Sequence, residues 1–299
     1  MPAPLLDRPF LERLERLTIH WMRSFPGLVG GHNPSRFSGA GQEFLDHRNF
    51  HHGDDLRAVN WRAYMRLEKL FLKMFQVEPR VPVRILLDCS ASMATGEELG
   101  HGITPKFDFA RRLAGALAYV GLVRLESICI QPFSDHLWDA CTCGGGRHRF
   151  APAADFLSGL AATGPTNFIS CSRDFANTYP QRGLLIVISD FFGTDDCEKP
   201  LQYLADLGHE LLLLHVYHPE ERTPPWSGEL ELVDAESGQK LELSFEDDVR
   251  QLYTERFDAY ARGLRDLALR KGGRYIGLTT QTTVEEAVFG PLNQVQAVY

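Results

Sequence analysis

The chain has 299 residues, 44% of them hydrophobic and 23% charged, which provides for one large globular domain and a smaller companion. Its formal net charge of −8 disfavours a general binder of nucleic acid or of anionic lipid, whose phosphates the surface as a whole repels. Six scattered cysteines, Cys89, Cys129, Cys141, Cys143, Cys171 and Cys197, and the lack of an opening secretory signal read as reduced thiols in a cytoplasmic protein.

Residues 1–80 differ in character from the rest. An amphipathic Leu11-Glu-Arg-Leu-Glu-Arg-Leu17 is followed by irregular Gly- and Phe-containing sequence and then by a helix-like, basic stretch from Asp55 to Gln76. We read a separate N-terminal module joined at Glu78-Pro79. Gly53-Asp54-Asp55 predicts a turn whose Asp55 caps a helix bearing Arg57, Arg62, Arg66, Lys69 and Lys73. That spacing spreads the cations over several faces, which suits a solvated surface or ion pairs with Glu43, Asp54 and Asp55. His47 and His51 would share a helix face near His52 and Asp54, but Phe50 and Gly53 among them fit a packed turn better than a metal cluster.

From Val83 onward, short apolar runs alternate with amphipathic segments. The runs are Val83–Leu87, Ser127–Ile130, Leu184–Ile188, Leu211–Leu214 and Tyr275–Leu278, near-continuous as strands buried on both faces are. Helical spacing links Ala110, Leu113, Ala114, Leu117 and Val120, and later Val249, Leu252, Tyr253, Phe257, Tyr260, Leu264 and Leu267. This alternation predicts an α/β fold with a doubly wound, mostly parallel sheet spanning 81–299.

Two stretches depart from it. Gly228 to Ser244 alternates polar and apolar residues around Glu236-Ser-Gly238 and predicts an inserted β-hairpin. Phe133 to Phe150, with Gly144-Gly-Gly146, predicts an exposed turn or hairpin; no Gly-Lys-Ser/Thr follows to make it a phosphate cradle. Cys141-Thr-Cys143 lacks a second ligand pair for tetrahedral zinc. No window reaches the roughly 20 apolar residues of a bilayer span; Leu211–Tyr217 has strand length and contains His215.

The chemistry concentrates in Asp88-Cys-Ser-Ala-Ser92, where the first buried strand ends. Loops at the carboxyl ends of strands line the binding crevice of open α/β sheets. A carboxylate and two alternate hydroxyls are hard oxygen donors suited to magnesium, manganese or calcium. Thr166, in Gly164-Pro-Thr-Asn167, and Asp190, after the strongest apolar strand, extend the set to two acids and three hydroxyls on three loops. An ordinary turn cap by Asp88 and Ser90 is the plainer alternative.

These residues resemble the metal-ion-dependent adhesion site of von Willebrand A domains, a likeness running from about Val81 to Tyr299. The resemblance implies that Ser90, Ser92 and Thr166 ligate Mg2+ (or Mn2+ or Ca2+) directly and that Asp88 and Asp190 act through water. One position is then left for an Asp or Glu carboxylate of a protein partner. A second resemblance rests on Gly39-Ala-Gly41, Glu43-Phe44, Arg48, Gly53-Asp-Asp, Arg57, Asn60-Trp61 and Lys73: the chain is similar to the bacterial proteins grouped as domain-of-unknown-function family 58. That resemblance implies a von Willebrand A-like second half, work with a MoxR-type AAA+ ATPase, and a part in maturing or activating other proteins. The anchoring hydrophobic helices of many members are missing here, so a soluble form is expected.

Enzymatic readings meet gaps in the motifs. A haloacid-dehalogenase-type phosphatase needs Asp-x-Asp, and Ser90 stands at the second position. A serine hydrolase would use Ser90 or Ser92, but Gly-x-Ser-x-Gly is absent and no histidine is singled out by spacing. Gly-x-Gly-x-x-Gly does not follow the first strand. The expectation is a non-enzymatic, metal-dependent adaptor. The alternatives are a metal-independent interaction module, for which the Pro224-Pro225-Trp226 loop offers a surface, and a Mg-dependent phosphatase-like hydrolase.

Overall fold

The computed structural model describes residues 4–20, 22, 43–51, 59–76, 81–94, 104–124, 126–193 and 196–298, with 43–48 and 73–76 described by backbone alone. The chain divides into two units, residues 24–81 and residues 1–23 with 82–299. Residues 1–23 therefore group with the larger unit, not with the module expected over 1–80. The reason is packing: helix α1 (Arg8–Leu14) is capped by Asp7, which accepts from the Phe10 amide, and its Phe10 and Leu14 enter the main core beside Leu17 and Ile19. Ile19 then bridges to Val298, and the His20 amide donates to the Ala297 carbonyl at 3.0 Å.

In the smaller unit, strand β1 (Glu43–Asn49) runs antiparallel to β2 (Phe71–Gln76), with helix α2 (Trp61–Leu67) between them. The basic helix expected from Asp55 to Gln76 is corrected by this arrangement. Asn60 caps α2 by accepting from the Ala63 amide, and Glu68, at φ 54°, ends the helix after seven residues. The aromatic-rich Phe71-Leu-Lys-Met-Phe75 pairs as a strand, since backbone pairing with β1 outweighs weak helical propensity. His47 lies in β1 and His51 beyond its end, so they share no helix face. His52, the Gly53-Asp54-Asp55 turn with its Asp55 cap, Arg57 and the Glu78-Pro79 junction lie outside the described residues.

The larger unit continues with β3 (Val83–Asp88), α3 (Lys106–Val123), β4 (Ile128–Phe133), β5 (Cys141–Cys143), α4 (Phe150–Ser158), α5 (Phe168–Thr178) and β6 (Leu184–Ser189). After these come α6 (Glu198–Asp206), β7 (Glu210–Tyr217), the short α7 (Pro219–Arg222), β8 (Gly228–Val233), β9 (Lys240–Phe245), α8 (Asp247–Arg270), β10 (Arg274–Thr279) and α9 (Val284–Ala287). The six-stranded sheet has the order β10-β7-β6-β3-β4-β5, all parallel except β5, which runs antiparallel to β4.

Both sheet faces are buried, as the apolar runs require. Val83, Ile85 and Leu87 point into a core with α1, α3, α4 and α9, and Leu86 into a second core with α5, α6 and α8. Leu184, Ile186 and Ile188 share the first side, Leu185 and Val187 the second, the period-two alternation of a strand. The chain leaves β3 toward α3 on one face and leaves β6 toward α6 on the other. Adjacent β3 and β6 therefore flank the topological switch point, where a crevice opens at the strands' carboxyl ends.

The hairpin expected over 228–244 forms as the antiparallel pair β8-β9. The segment from Phe133 to Phe150 is tighter than expected: Phe133 is buried in β4, and β5 turns back to pair with that strand. Along α8, Phe257, Leu264 and Leu267 are buried as the periodicity predicts, but Leu252 is 54% exposed. Among the described residues no helix is long and apolar enough to cross a membrane.

Candidate functional site

The site begins with two strand ends. Asp88 closes β3 and Asp190 follows β6, and both carboxylates are fully buried. In-register pairing of Leu87 with Ile188 sets Ser189 beside Asp88. The Ser189 hydroxyl donates to Asp88 Oδ2 at 2.5 Å and accepts from the Phe191 amide at 2.7 Å. Asp88 Oδ1 accepts from the Ser90 amide at 2.9 Å, which turns the chain sharply and sets Ser90 Oγ 3.0 Å from Ser92 Oγ. Ser92 lies in a one-turn 3-10 helix, Ala91–Ala94.

The loop carrying Thr166 is fastened from both sides. The Ala91 amide donates to the Gly164 carbonyl, the Thr163 amide to the Cys89 carbonyl, and the Asn167 amide to the Ser134 carbonyl. Asn167 also caps α5 by accepting from the Ser170 amide. The loop after Asp190 passes close by, since a Cβ added to Gly193 would stand 3.7 Å from Thr166 Cβ. The structure thus gathers Asp88, Ser90, Ser92, Thr166 and Asp190 on three loops at the switch-point edge.

Asp190 is held hard. Its Oδ1 accepts from the Phe192 amide at 3.0 Å, and its Oδ2 accepts from Lys106 Nζ at 2.7 Å. Lys106 is itself 1% exposed and also donates to Glu221. Burial works against that ammonium, but the charges of Asp190 and Glu221 outweigh it and hold its pKa above the ordinary lysine value. Phe191, between the two fastened amides, adopts φ 55°, a left-handed conformation that an aromatic residue takes only under constraint. Tyr260 supplies part of that constraint by donating to the Phe191 carbonyl at 2.6 Å.

Burial, followed by the neighbouring Asp190 charge, lifts the Asp88 carboxyl well above the usual carboxylate range. His215, pushed down to about 4 by burial, contributes no positive charge at neutral pH. Asp190 and Glu221 share the Lys106 ammonium, Glu236 is engaged by Thr166, and a divalent cation would offset the burial and repulsion that raise the Asp88 pKa. The oxygen spacing also fits. Adjacent ligands in an octahedral shell at magnesium distances stand about 2.9 Å apart, and Ser90 Oγ and Ser92 Oγ are separated by 3.0 Å. Among the described residues no group of three or more His, Cys, Asp or Glu side chains is arranged to hold a metal; a centre here depends on hydroxyls, which favours a hard cation over zinc or copper.

The family model for a protein of unknown function, DUF58, matches residues 46–262. The chain belongs to the DUF58 family. An uncharacterized protein of Mycobacterium tuberculosis is 25% identical over 250 residues, covering 82% of this chain and 77% of its own length. An uncharacterized protein of Mycobacterium bovis matches with the same identity and coverage. Among solved structures, an aerotolerance-related membrane protein of Bacteroides fragilis is similar at 18% identity and a TM-score of 0.43, over 72% of this chain and 99% of that one. The VWA domain of SpRpn10 is similar at 12% identity and a TM-score of 0.35, over 70% and 93%.

Several residues of this DUF58 site escaped the sequence reading. Lys106 carried a signal: a cation at the first position of an 18-residue apolar helix opposes the helix dipole and calls for a carboxylate partner. Ser189 was visible only as a strand-end hydroxyl. Glu221 sits in a capping box on α7, where its Oε2 accepts from the His218 amide at 2.7 Å, a local role that hides the bond to Lys106. Glu236 looked like part of a turn, yet its carboxylate accepts from both the amide and the hydroxyl of Thr166, at 2.9 and 2.7 Å.

Proposed function

We propose that the switch-point site of this DUF58 protein binds a hard divalent cation, Mg2+ or Mn2+ or Ca2+, and through it captures an Asp or Glu side chain of a protein partner without catalysing a reaction. Ser90, Ser92 and Thr166 would ligate directly, with Asp88 and Asp190 orienting bound water. The cation would supply charge for holding a carboxylate in a water-poor crevice, where the attraction is stronger than in bulk water. The observation that carries the reading is the pair of fully buried carboxyl groups, Asp88 and Asp190, beside paired serine hydroxyls.

A non-catalytic role is supported by how the candidate nucleophiles are engaged. Ser90 and Ser92 bond each other, and His215 is buried with its Nδ1 2.7 Å from the Tyr275 hydroxyl. Next to Asp190, Phe191, Phe192, Tyr253, Phe257 and Tyr260 line a cavity of about 270 Å3. A partner placing its acid on the metal could seat an apolar side chain there. Action alongside a MoxR-type AAA+ ATPase is part of the same proposal.

The test is Mn2+ binding followed by electron paramagnetic resonance, together with Mg2+-dependent thermal stabilisation, in the wild type and in Ser90→Ala/Ser92→Ala. Magnesium at about 100 times its dissociation constant should stabilise the wild type by roughly 2.7 kcal/mol, and the variant should lose both signals. Equal metal response in the two proteins would refute the assignment.

A further inference from the structure

The hairpin that interrupts the sheet domain is built to reach the site. Asp234 accepts from the amides of Glu236 and Ser237 at 2.8 Å each, and the turn closes through Asp234 N–H to the Gln239 carbonyl at 2.8 Å. Gly238, at φ 69°, supplies the left-handed residue the turn requires. That cap fixes the backbone of Glu236 and leaves its side chain to project onto Thr166, where both carboxylate oxygens are engaged. With the arm in place Thr166 is 4% exposed.

Among the described residues the outer part of the arm is lightly buried, while Leu230 and Leu243 nearer its base are half-buried. Leu232, Val233 and Leu241 are 37%, 56% and 62% exposed, and Phe245 at its base is buried. An element with few buried apolar contacts opens at low free energy, and a charge-assisted two-point bond is its principal lock at the tip. The separation of 2.7 Å between Thr166 Oγ1 and Glu236 Oε1 is close to the roughly 2.9 Å between neighbouring oxygens of a magnesium shell.

We propose that Glu236 is an internal ligand of this site: the β8-β9 arm docks its own acid on Thr166, in the position a partner's carboxylate would take, and a partner binds by displacing it. The inference rests on the carboxylate-capture reading and adds its regulation. The arm also describes the ligand, an acid at the tip of a tight hairpin. A tethered acid competes at an effective concentration in the millimolar range. If the arm is docked nine-tenths of the time, apparent affinity for an external acid falls about tenfold.

The experiment compares the full-length wild type with Glu236→Ala. The probe is a fluorescent peptide of residues 229–244, cyclised across the strands, with Glu or Gln at position 236, titrated in saturating Mg2+. The variant should bind the Glu peptide at least about tenfold more tightly than the wild type, and the Gln peptide should not bind measurably. Amide exchange across 232–241 should also accelerate in the variant. Equal peptide affinity with unchanged exchange, in proteins that both bind Mn2+, would overturn the internal ligand and leave the metal reading standing. Failure of both proteins to bind Mn2+ would overturn the capture reading and this inference with it. Glu236 is half-buried at the tip of the arm, and Mn2+ binding by the variant shows that the site is folded.

Discussion

Lys106→Met isolates the electrostatics of the site, because methionine keeps most of the side chain and removes its charge. The ammonium is 2.7 Å from Asp190 Oδ2, with side-chain exposures of 1% and 0%. Breaking such a buried pair from one side costs about 3–5 kcal/mol, since the remaining charge stays desolvated. Glu221 is 19% exposed and can recover water, so the loss stems mainly from Asp190 and falls near the low end, about 3 kcal/mol. Urea unfolding in chelator, followed by tryptophan fluorescence, measures it. The decisive arm is the double variant Lys106→Met/Asp190→Asn, which removes both charges and should recover roughly 2 kcal/mol relative to Lys106→Met. Mg2+ should rescue Lys106→Met more than it stabilises the wild type, because the cation would replace the missing charge at Asp190. A single-variant loss below about 1 kcal/mol, or strict additivity in the double variant, would refute the dependence of Asp190 on Lys106.

Two further outcomes test the scaffold. Burial, followed by the Arg84 charge, holds the His209 pKa down to about 4. The folded value lies below the unfolded value of roughly 6.5, so the stability from the neutral ring is complete above pH 6.5 and drains away as pH falls toward 4, a loss on the order of 3 kcal/mol. Urea midpoints between pH 7 and 4.5 should fall less steeply in His209→Gln; identical slopes would remove His209 from the account. At the α8-β10 turn, a Cβ on Gly273 would lie 2.4 Å from the Leu211 carbonyl oxygen. Gly273→Ala should therefore lose at least about 1–3 kcal/mol, and an unchanged calorimetric midpoint would show that the turn relaxes freely.

The fold was legible because its strands are buried on both faces. Runs such as Leu184–Ile188 can be satisfied only inside a sheet covered by helices, and the five expected strands appear as β3, β4, β6, β7 and β10. Helices α4, α5 and α6 were not individually foreseen. Each has 9 to 11 residues, and a short helix offers few repeats from which to read a period. Phe71–Gln76 was misread for a related reason: six residues rich in Phe, Leu and Met suit either period, and the pairing partner that decides lies well upstream, with Glu43 opposite Gln76 and Asn49 opposite Phe71 in the register.

The site divides along the same line between local and distant information. Asp88, Ser90 and Ser92 announce themselves because a strand end and a two-residue spacing are written within five consecutive positions. Lys106, Glu221 and Glu236 act on that cluster from α3, α7 and the β8-β9 arm, and each has a satisfactory local explanation as a helix start, a capping box or a turn. What marks Lys106 is charge: a buried lysine at the positive end of an apolar helix needs a partner that its own element does not provide. Asking where that charge finds its counter-charge leads from α3 to Asp190, whereas the bond of Glu236 to the Thr166 amide and hydroxyl emerges only in the fold. The geometry at Thr166 makes the arm a part of the site rather than an ornament on the sheet.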